Sequence, residues 1–273
     1  MGLEQLTLRT RALLQKAARA AGIYRGALPL AWHRDEPGSW LRQNLPERSL
    51  TVPPLARMRE IEQIASSINA LGPQPLWEGY RATYQHKPDV PWAQAALSRT
   101  PDQVRSQAEI GCLFAWLAAT RRPALIVEFG TAFGISAMYW SAGLDQAGSG
   151  RLLTFEPNEG WHTIAATRLA EFSARAIPVL GTFEDKIADH LKQGETIDIA
   201  FVDAIHTSDF VTPQVELLIT RLTTGGLIIL DDISFSDDMR QCWQRWASDP
   251  RVTASVAVAD RVGILEVGRA AQI

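Results

Sequence analysis

The sequence predicts an α/β protein: a Rossmann-like open sheet of five parallel strands closed by an antiparallel hairpin, with helices on both faces and a mainly helical extension in front. Three observations predict it. Strand-like and helix-like runs alternate from Ala124 to Ala247, the pattern of a parallel sheet with crossover helices. The apolar run Ala124 to Val127 ends in Glu128, Gly130 and Gly134 and leads into a second apolar segment. That reads as a buried strand, a glycine turn and a helix, where open sheets hold nucleotide-like ligands. Finally, the strand-like runs Val252 to Ala259 and Val262 to Val267 are separated only by Asp260 and Arg261. Strands so close must pair antiparallel, because parallel neighbours need a long crossover.

The bulk properties agree with this and exclude other classes. The chain has 273 residues, 46% hydrophobic and 21% charged, with a formal net charge of -3. That suffices for one α/β domain plus a substantial extension, divided here as residues 1–100 and 101–273. No concentrated basic face points to nucleic acid, and no apolar run approaches the roughly 18 residues that span a bilayer. Cys112 and Cys242 lie far apart in helical patterns and read as free buried thiols, which suits a reducing, cytoplasmic setting.

Taken in order, Met1 to Ala21 carries four basic residues against Glu4 on an amphipathic helical pattern, expected to pack on the domain or on a second subunit in preference to the alternative of a transit peptide or membrane-surface helix. Leu28 to Pro54 holds prolines and tryptophans and reads as irregular. Pro53 and Pro54 open a helix with Leu55, Met58, Ile61, Ile64, Ala65, Ile68 and Leu71 at helical spacing, stopped by Gly72. Pro73 to Ser98 reads as a loop carrying Trp77, Tyr80, Tyr84 and Trp92, a surface staple or the wall of an acceptor pocket. Thr100-Pro101-Asp102-Gln103 forms a capping box, so one helix is expected from there to about Ala119. Strands then follow at 124–129, 151–156, 177–180, 197–203 and 227–231, each trailed by a helix.

The glycine turn is E-x-G-x-x-x-G, not G-x-G-x-x-G, so it lacks the glycine pair that lets a backbone approach a pyrophosphate. A carboxylate at the start of a wider turn suits a cofactor with an amine and no phosphates, such as S-adenosylmethionine. Glu156 closes the second strand at the spacing of a ribose-binding carboxylate. Gly181, Thr182, Phe183 and Glu184 follow the third strand, beside the adenine; Phe183 either stacks on the base or belongs to the core.

Asp203 ends the fourth strand, and Asp231 and Asp232 end the fifth, so three carboxylates converge in one cleft. Two like charges about 4 Å apart cost on the order of 4 kcal/mol at an effective dielectric of 20. Either one carboxyl is protonated or a cation sits between them, Mg²⁺ with Ca²⁺ or Mn²⁺ as substitutes; otherwise Asp232 caps the turn and Asp203 alone faces the cofactor. His206, three residues past Asp203, is a candidate base, beside the alternative of a structural histidine.

These residues resemble a known family. From about Gln103 to Gly268 the chain is similar to class I, cation-dependent O-methyltransferases of the catechol and caffeoyl-CoA type and their bacterial natural-product relatives. The pieces that carry the resemblance are Val-Glu-Phe-Gly-Thr-Ala-Phe-Gly-Ile-Ser (127–136), Thr-Phe-Glu-Pro (154–157), Val-Leu-Gly-Thr-Phe-Glu (179–184), Phe-Val-Asp-Ala-Ile-His (201–206) and Gly-Gly-Leu-Ile-Ile-Leu-Asp-Asp (225–232). The resemblance implies that Glu128 and Gly130 line the methionine end, with Ser136 on its carboxylate and Thr131 and Gly134 also among the cofactor-binding residues. It further implies Glu156 on the ribose, and Asp203, Asp231 and Asp232 on a cation that binds a small hydroxylated acceptor. His206 falls where the catechol enzyme has a lysine base, and Asp232 where it has asparagine. Residues 1–100 match no such pattern; extensions of this kind cover the site or build a homodimer. The competing expectations are a metal-independent N- or carboxyl-methyltransferase and a non-catalytic cofactor-binding subunit.

Overall fold

The computed structural model describes residues 27–79, 98–203 and 205–268. The expected Met1 to Ala21 helix, and Tyr80, Tyr84 and Trp92, lie outside the described residues.

Strands and helices follow in the order β1 (Ala27–Asp35), α1 (Trp40–Asn44), β2 (Ser49–Thr51), α2 (Met58–Asn69), β3 (Gln74–Pro75), β4 (Ser98–Arg99), α3 (Pro101–Val104), α4 (Ala108–Arg121), β5 (Leu125–Phe129) and α5 (Ile135–Ala147). They continue with β6 (Arg151–Glu156), α6 (Glu159–Phe172), β7 (Ala176–Leu180), α7 (Phe183–His190), β8 (Ile197–Val202) and α8 (Ser208–Ile219). The chain closes with β9 (Leu222–Leu230), α9 (Asp237–Ala247), β10 (Val252–Val258) and β11 (Val262–Val267).

The main sheet has the order β2-β1-β10-β11-β9-β8-β5-β6-β7. Strands β7, β6, β5, β8 and β9 are mutually parallel. The hairpin β10–β11 lies antiparallel against β9, with Leu230 opposite Gly263. The five-plus-hairpin expectation therefore holds. Alternate strand residues face opposite layers: Ile126, Leu152, Ile199, Phe201 and Ile229 join one apolar cluster, and Val127, Leu153, Ala200, Val202 and Ile228 the other. Both faces are covered, which is why these strands read as unbroken apolar runs.

Two expectations need correction. Leu28 to Pro54 is not irregular: β1 pairs with β10 and β2 with β1, adding two antiparallel strands to the sheet. The hairpin leaves β10 with a free edge, and the alternation around Leu28 and Leu30 fits it, though Pro29 and Pro37 mask the pattern. Glu266 of β11 then accepts the Trp40 and Leu41 amides at 2.8 and 2.7 Å, anchoring α1 by its N-terminus.

The helix expected from Thr100 to Ala119 is two helices. Gln103 accepts the Thr100 amide at 2.8 Å as the capping box requires. Arg105, however, is extended (φ -84°, ψ 148°), and its side chain donates to both oxygens of Glu62. A buried carboxylate on α2 outcompetes continuation of the helix.

Candidate active site

The C-terminal ends of the parallel strands open into a cavity of about 780 Å³, inside the roughly 300–1,000 Å³ range of small-molecule sites. Its walls combine the β5 turn, the ends of β6 and β8, the residues after β9, and parts of the first hundred residues, including Arg59, Trp77 and Arg99.

Backbone hydrogen bonds carry the sheet geometry into this region. Gly130 and Thr131 donate to the Phe155 carbonyl at 3.0 and 3.1 Å, Asp203 to Phe129 at 3.1 Å, and Asp231 to Val202 at 3.1 Å. Gly130 has φ +86°, the left-handed backbone that glycine adopts without steric cost. Gly134 (φ +84°) does another job: a Cβ there would lie 3.3 Å from that of Ala165, so it permits close packing of α5 on α6 and does not line the cavity.

Gly130, Thr131, Ser136, Glu156, Thr182, Phe183, Asp203, His206, Asp231 and Asp232 all line the cavity. Glu128 lies one layer behind the wall and is fully buried. Thr154 donates to its Oε2 at 2.5 Å, while Oε1 has no partner among the described residues. Burial pushes this carboxyl up to about 7, against the opposing hydrogen bonds from Thr154 and Ser136. Glu156 accepts the Ala132 and Asn158 amides at 2.8 and 2.9 Å, and burial likewise raises it to about 7. Phe183 packs 3.9 Å from the Phe129 ring and 5.5 Å from that of Phe155. Of its two expected roles, the structure places it in the core, with one edge at the cavity.

The three aspartates do converge. Burial, then Asp231 and Asp232, push Asp203 well above the ordinary carboxylate range, and burial and Asp231 raise Asp232. Between Asp203 and Asp232 stands His206, its Nε2 3.7 and 3.6 Å from their oxygens.

The counter-charge is a residue that sequence reading missed. Arg261 donates through Nε and Nη2 to the two oxygens of Asp231, at 3.2 and 2.8 Å, and its Nε lies 3.2 Å from Asp232. Burial alone would lower the Arg261 pKa, but Asp231 and Asp232 outweigh it and raise it. The signal was present in the sequence: a hairpin docked antiparallel on the fifth strand sets its turn opposite that strand's acidic end.

This arrangement does not fit the expected Mg²⁺. Both Asp231 oxygens are engaged, and among the described residues no group of three His, Cys, Asp or Glu side chains is arranged to hold a metal.

Gln214 was also missed. It lines the cavity and is buried; its Nε2 donates to Glu184 at 2.6 Å, and its Oε1 has no partner among the described residues. The carboxylate fixes the amide's orientation, because it can only accept. The free atom is therefore an acceptor.

On the cavity wall, Glu62 accepts from both Arg105 and the Tyr139 hydroxyl, the latter at 2.9 Å. This fastens α2 and the break between α3 and α4 to α5, whose first turn carries Ser136.

Parallel strands in this order, an inserted antiparallel hairpin and a glycine turn opening α5 define the class I methyltransferase fold. Residues 127–233 match the sequence family described as a methyltransferase domain. The fold is shared with the O-methyltransferase TomG from Streptomyces achromogenes, involved in tomaymycin synthesis and solved with SAM (20% identity, 76% of this chain and 96% of that one, TM-score 0.51). It is also shared with SAH-bound methyltransferase PaMTH1 from Podospora anserina (18% identity, 80% and 99% covered, TM-score 0.52). No curated protein sequence matches the chain. Among the described residues no helix is long and apolar enough to cross a membrane.

Proposed function

We propose that this protein is an S-adenosylmethionine-dependent O-methyltransferase acting on a hydroxyl of a small acceptor. The observation that carries the reading is that one cavity joins the glycine turn, Ser136 and Glu156 to the cluster of Asp203, His206, Asp231 and Asp232. One buried acceptor on the cavity wall with no partner among the described residues, Gln214 Oε1, matches the adenine amino group of such a cofactor. An unpaired buried acceptor costs about 1–3 kcal/mol, which a ligand donor would relieve.

When bound, S-adenosylmethionine supplies a methyl carbon whose bond pair returns to sulfur as the acceptor oxygen forms the new O–C bond. The chain's residues do the rest. Ser136 and Gly130 border the methionine end, Glu156 faces the ribose, and Gln214 meets the adenine edge. His206 takes the acceptor's hydroxyl proton at Nε2, as a general base positioned between Asp203 and Asp232. Arg261 neutralises part of the acidic cluster, which leaves less negative charge there for an amine acceptor.

The test is methyl transfer to a panel of catechols, phenols and hydroxylated natural products, read as S-adenosylhomocysteine formed, with parallel calorimetric titration of S-adenosylhomocysteine itself. Stoichiometric binding and transfer to oxygen are expected. Absence of binding would overturn the cofactor assignment.

A further inference from the structure

We propose that Arg261 is the built-in cation of this site, holding the carboxylates that a divalent ion would need, so that the acceptor is bound and activated without a metal. This inference rests on the methyl-transfer reading above and assigns the cation's work to a side chain of the protein.

Its position is dictated by the fold. Leu230 faces Gly263 across β9 and β11, so two steps further the antiparallel register brings 232 opposite 261. The Ile233 amide donates to the Arg261 carbonyl at 2.9 Å and fixes that approach. From there the side chain runs inward along the acidic end of β9; only 26% of it is exposed, against 1% for Asp231.

The chemistry of the donors points the same way. Mg²⁺ demands near-octahedral oxygen ligands at about 2.0–2.1 Å. Asp231 instead receives a guanidinium fork, the geometry best matched to a carboxylate, and Asp232 is shared between Arg261 and His206. Asp203 faces His206. Two of the three expected ligands, Asp231 and Asp232, thus face the Arg261 guanidinium.

Arg261 also has something to offer an acceptor. It lines the cavity, and its hydrogen bonds to Asp231 use Nε and Nη2, not Nη1. A hydroxyl oxygen accepting from that N–H would be placed next to a fixed positive charge, which favours its deprotonation by His206.

The test is Mn²⁺ binding by electron paramagnetic resonance on the full-length protein with S-adenosylhomocysteine present. Wild type is expected to leave millimolar Mn²⁺ free, and Arg261→Gln to acquire one bound Mn²⁺ per chain that is lost again on adding Asp231→Asn. Stoichiometric Mn²⁺ on wild type would overturn the proposal, and that measurement decides even if the variant does not fold. A folded Arg261→Gln that still leaves Mn²⁺ free would overturn it too, since Arg261 would then not be what occupies the donors. Failure of wild type to bind S-adenosylhomocysteine would instead strike the underlying cofactor reading, whatever the Mn²⁺ result.

Discussion

Arg261 on the β10–β11 turn clasps Asp231 at the end of β9, its Nε and Nη2 meeting the two carboxylate oxygens at 3.2 and 2.8 Å. Asp231 is buried, so removing the guanidinium leaves a carboxylate with little water and no partner. Arg261→Met is expected to cost roughly 3 kcal/mol, toward the low end for a broken buried pair because the arginine keeps some solvent contact. Adding Asp231→Asn should recover part of that loss. Urea unfolding of both variants measures it; a loss below about 0.5 kcal/mol would show that the pair is solvent-screened.

His206→Ala is expected to lower kcat by about 10²–10⁴-fold, the usual contribution of a general base. Affinity for S-adenosylhomocysteine should stay within about twofold, because nothing in the base role concerns the cofactor. Steady-state kinetics on an acceptor from the panel, beside calorimetry, separates the two. A loss of less than tenfold would return His206 to a structural role.

Glu128 makes stability depend on pH in a definite direction. Its ordinary value is 4.5, and in the fold burial raises it to about 7. Between these values the unfolded chain gives up a proton that the folded chain keeps. Its contribution therefore declines as pH rises from about 4.5 to about 7, and is level above that. Glu128→Gln cannot ionise, so the Tm difference between variant and wild type should widen in the variant's favour across that window. At about 1.4 kcal/mol per unit the effect is a few kcal/mol at most. A constant difference across the window would show that Glu128 titrates normally.

Gln214→Leu removes the acceptor assigned to the adenine amino group. Affinity for S-adenosylhomocysteine should fall about tenfold, the equivalent of 1.4 kcal/mol for one buried hydrogen bond. Wild type should also discriminate against the S-inosyl analogue, which lacks that amine, and the variant should not. Retained discrimination would place the adenine elsewhere.

Tyr139→Phe deletes one hydrogen bond to the Glu62 carboxylate. A bond to a charged, buried acceptor is worth about 1.5–3 kcal/mol, and denaturant unfolding should show a loss of that size. A neutral substitution would mean that Arg105 alone satisfies Glu62.

Much of this protein is decided by local sequence. The buried strands β5, β8 and β9 are apolar runs that fit only a sheet covered on both faces. The spacing of Glu128, Gly130 and Gly134 sets the turn, and the ends of β6, β8 and β9 carry the acidic residues of the site. These features were legible because each depends on neighbours a few positions away. The β1 and β2 strands were not, because β1 exists by pairing with the free edge of β10, more than 200 residues distant, and β2 pairs in turn with β1. The break at Arg105 was hidden for a related reason: its partner Glu62 lies on another helix.

The acidic cluster shows the division most clearly. Sequence alone determined that Asp203, Asp231 and Asp232 would meet and that their charge needs an answer. Only the tertiary structure decided what answers it, because Arg261 reaches them through the register of an antiparallel hairpin, and that pairing is set by the packed sheet, not by any short stretch of chain.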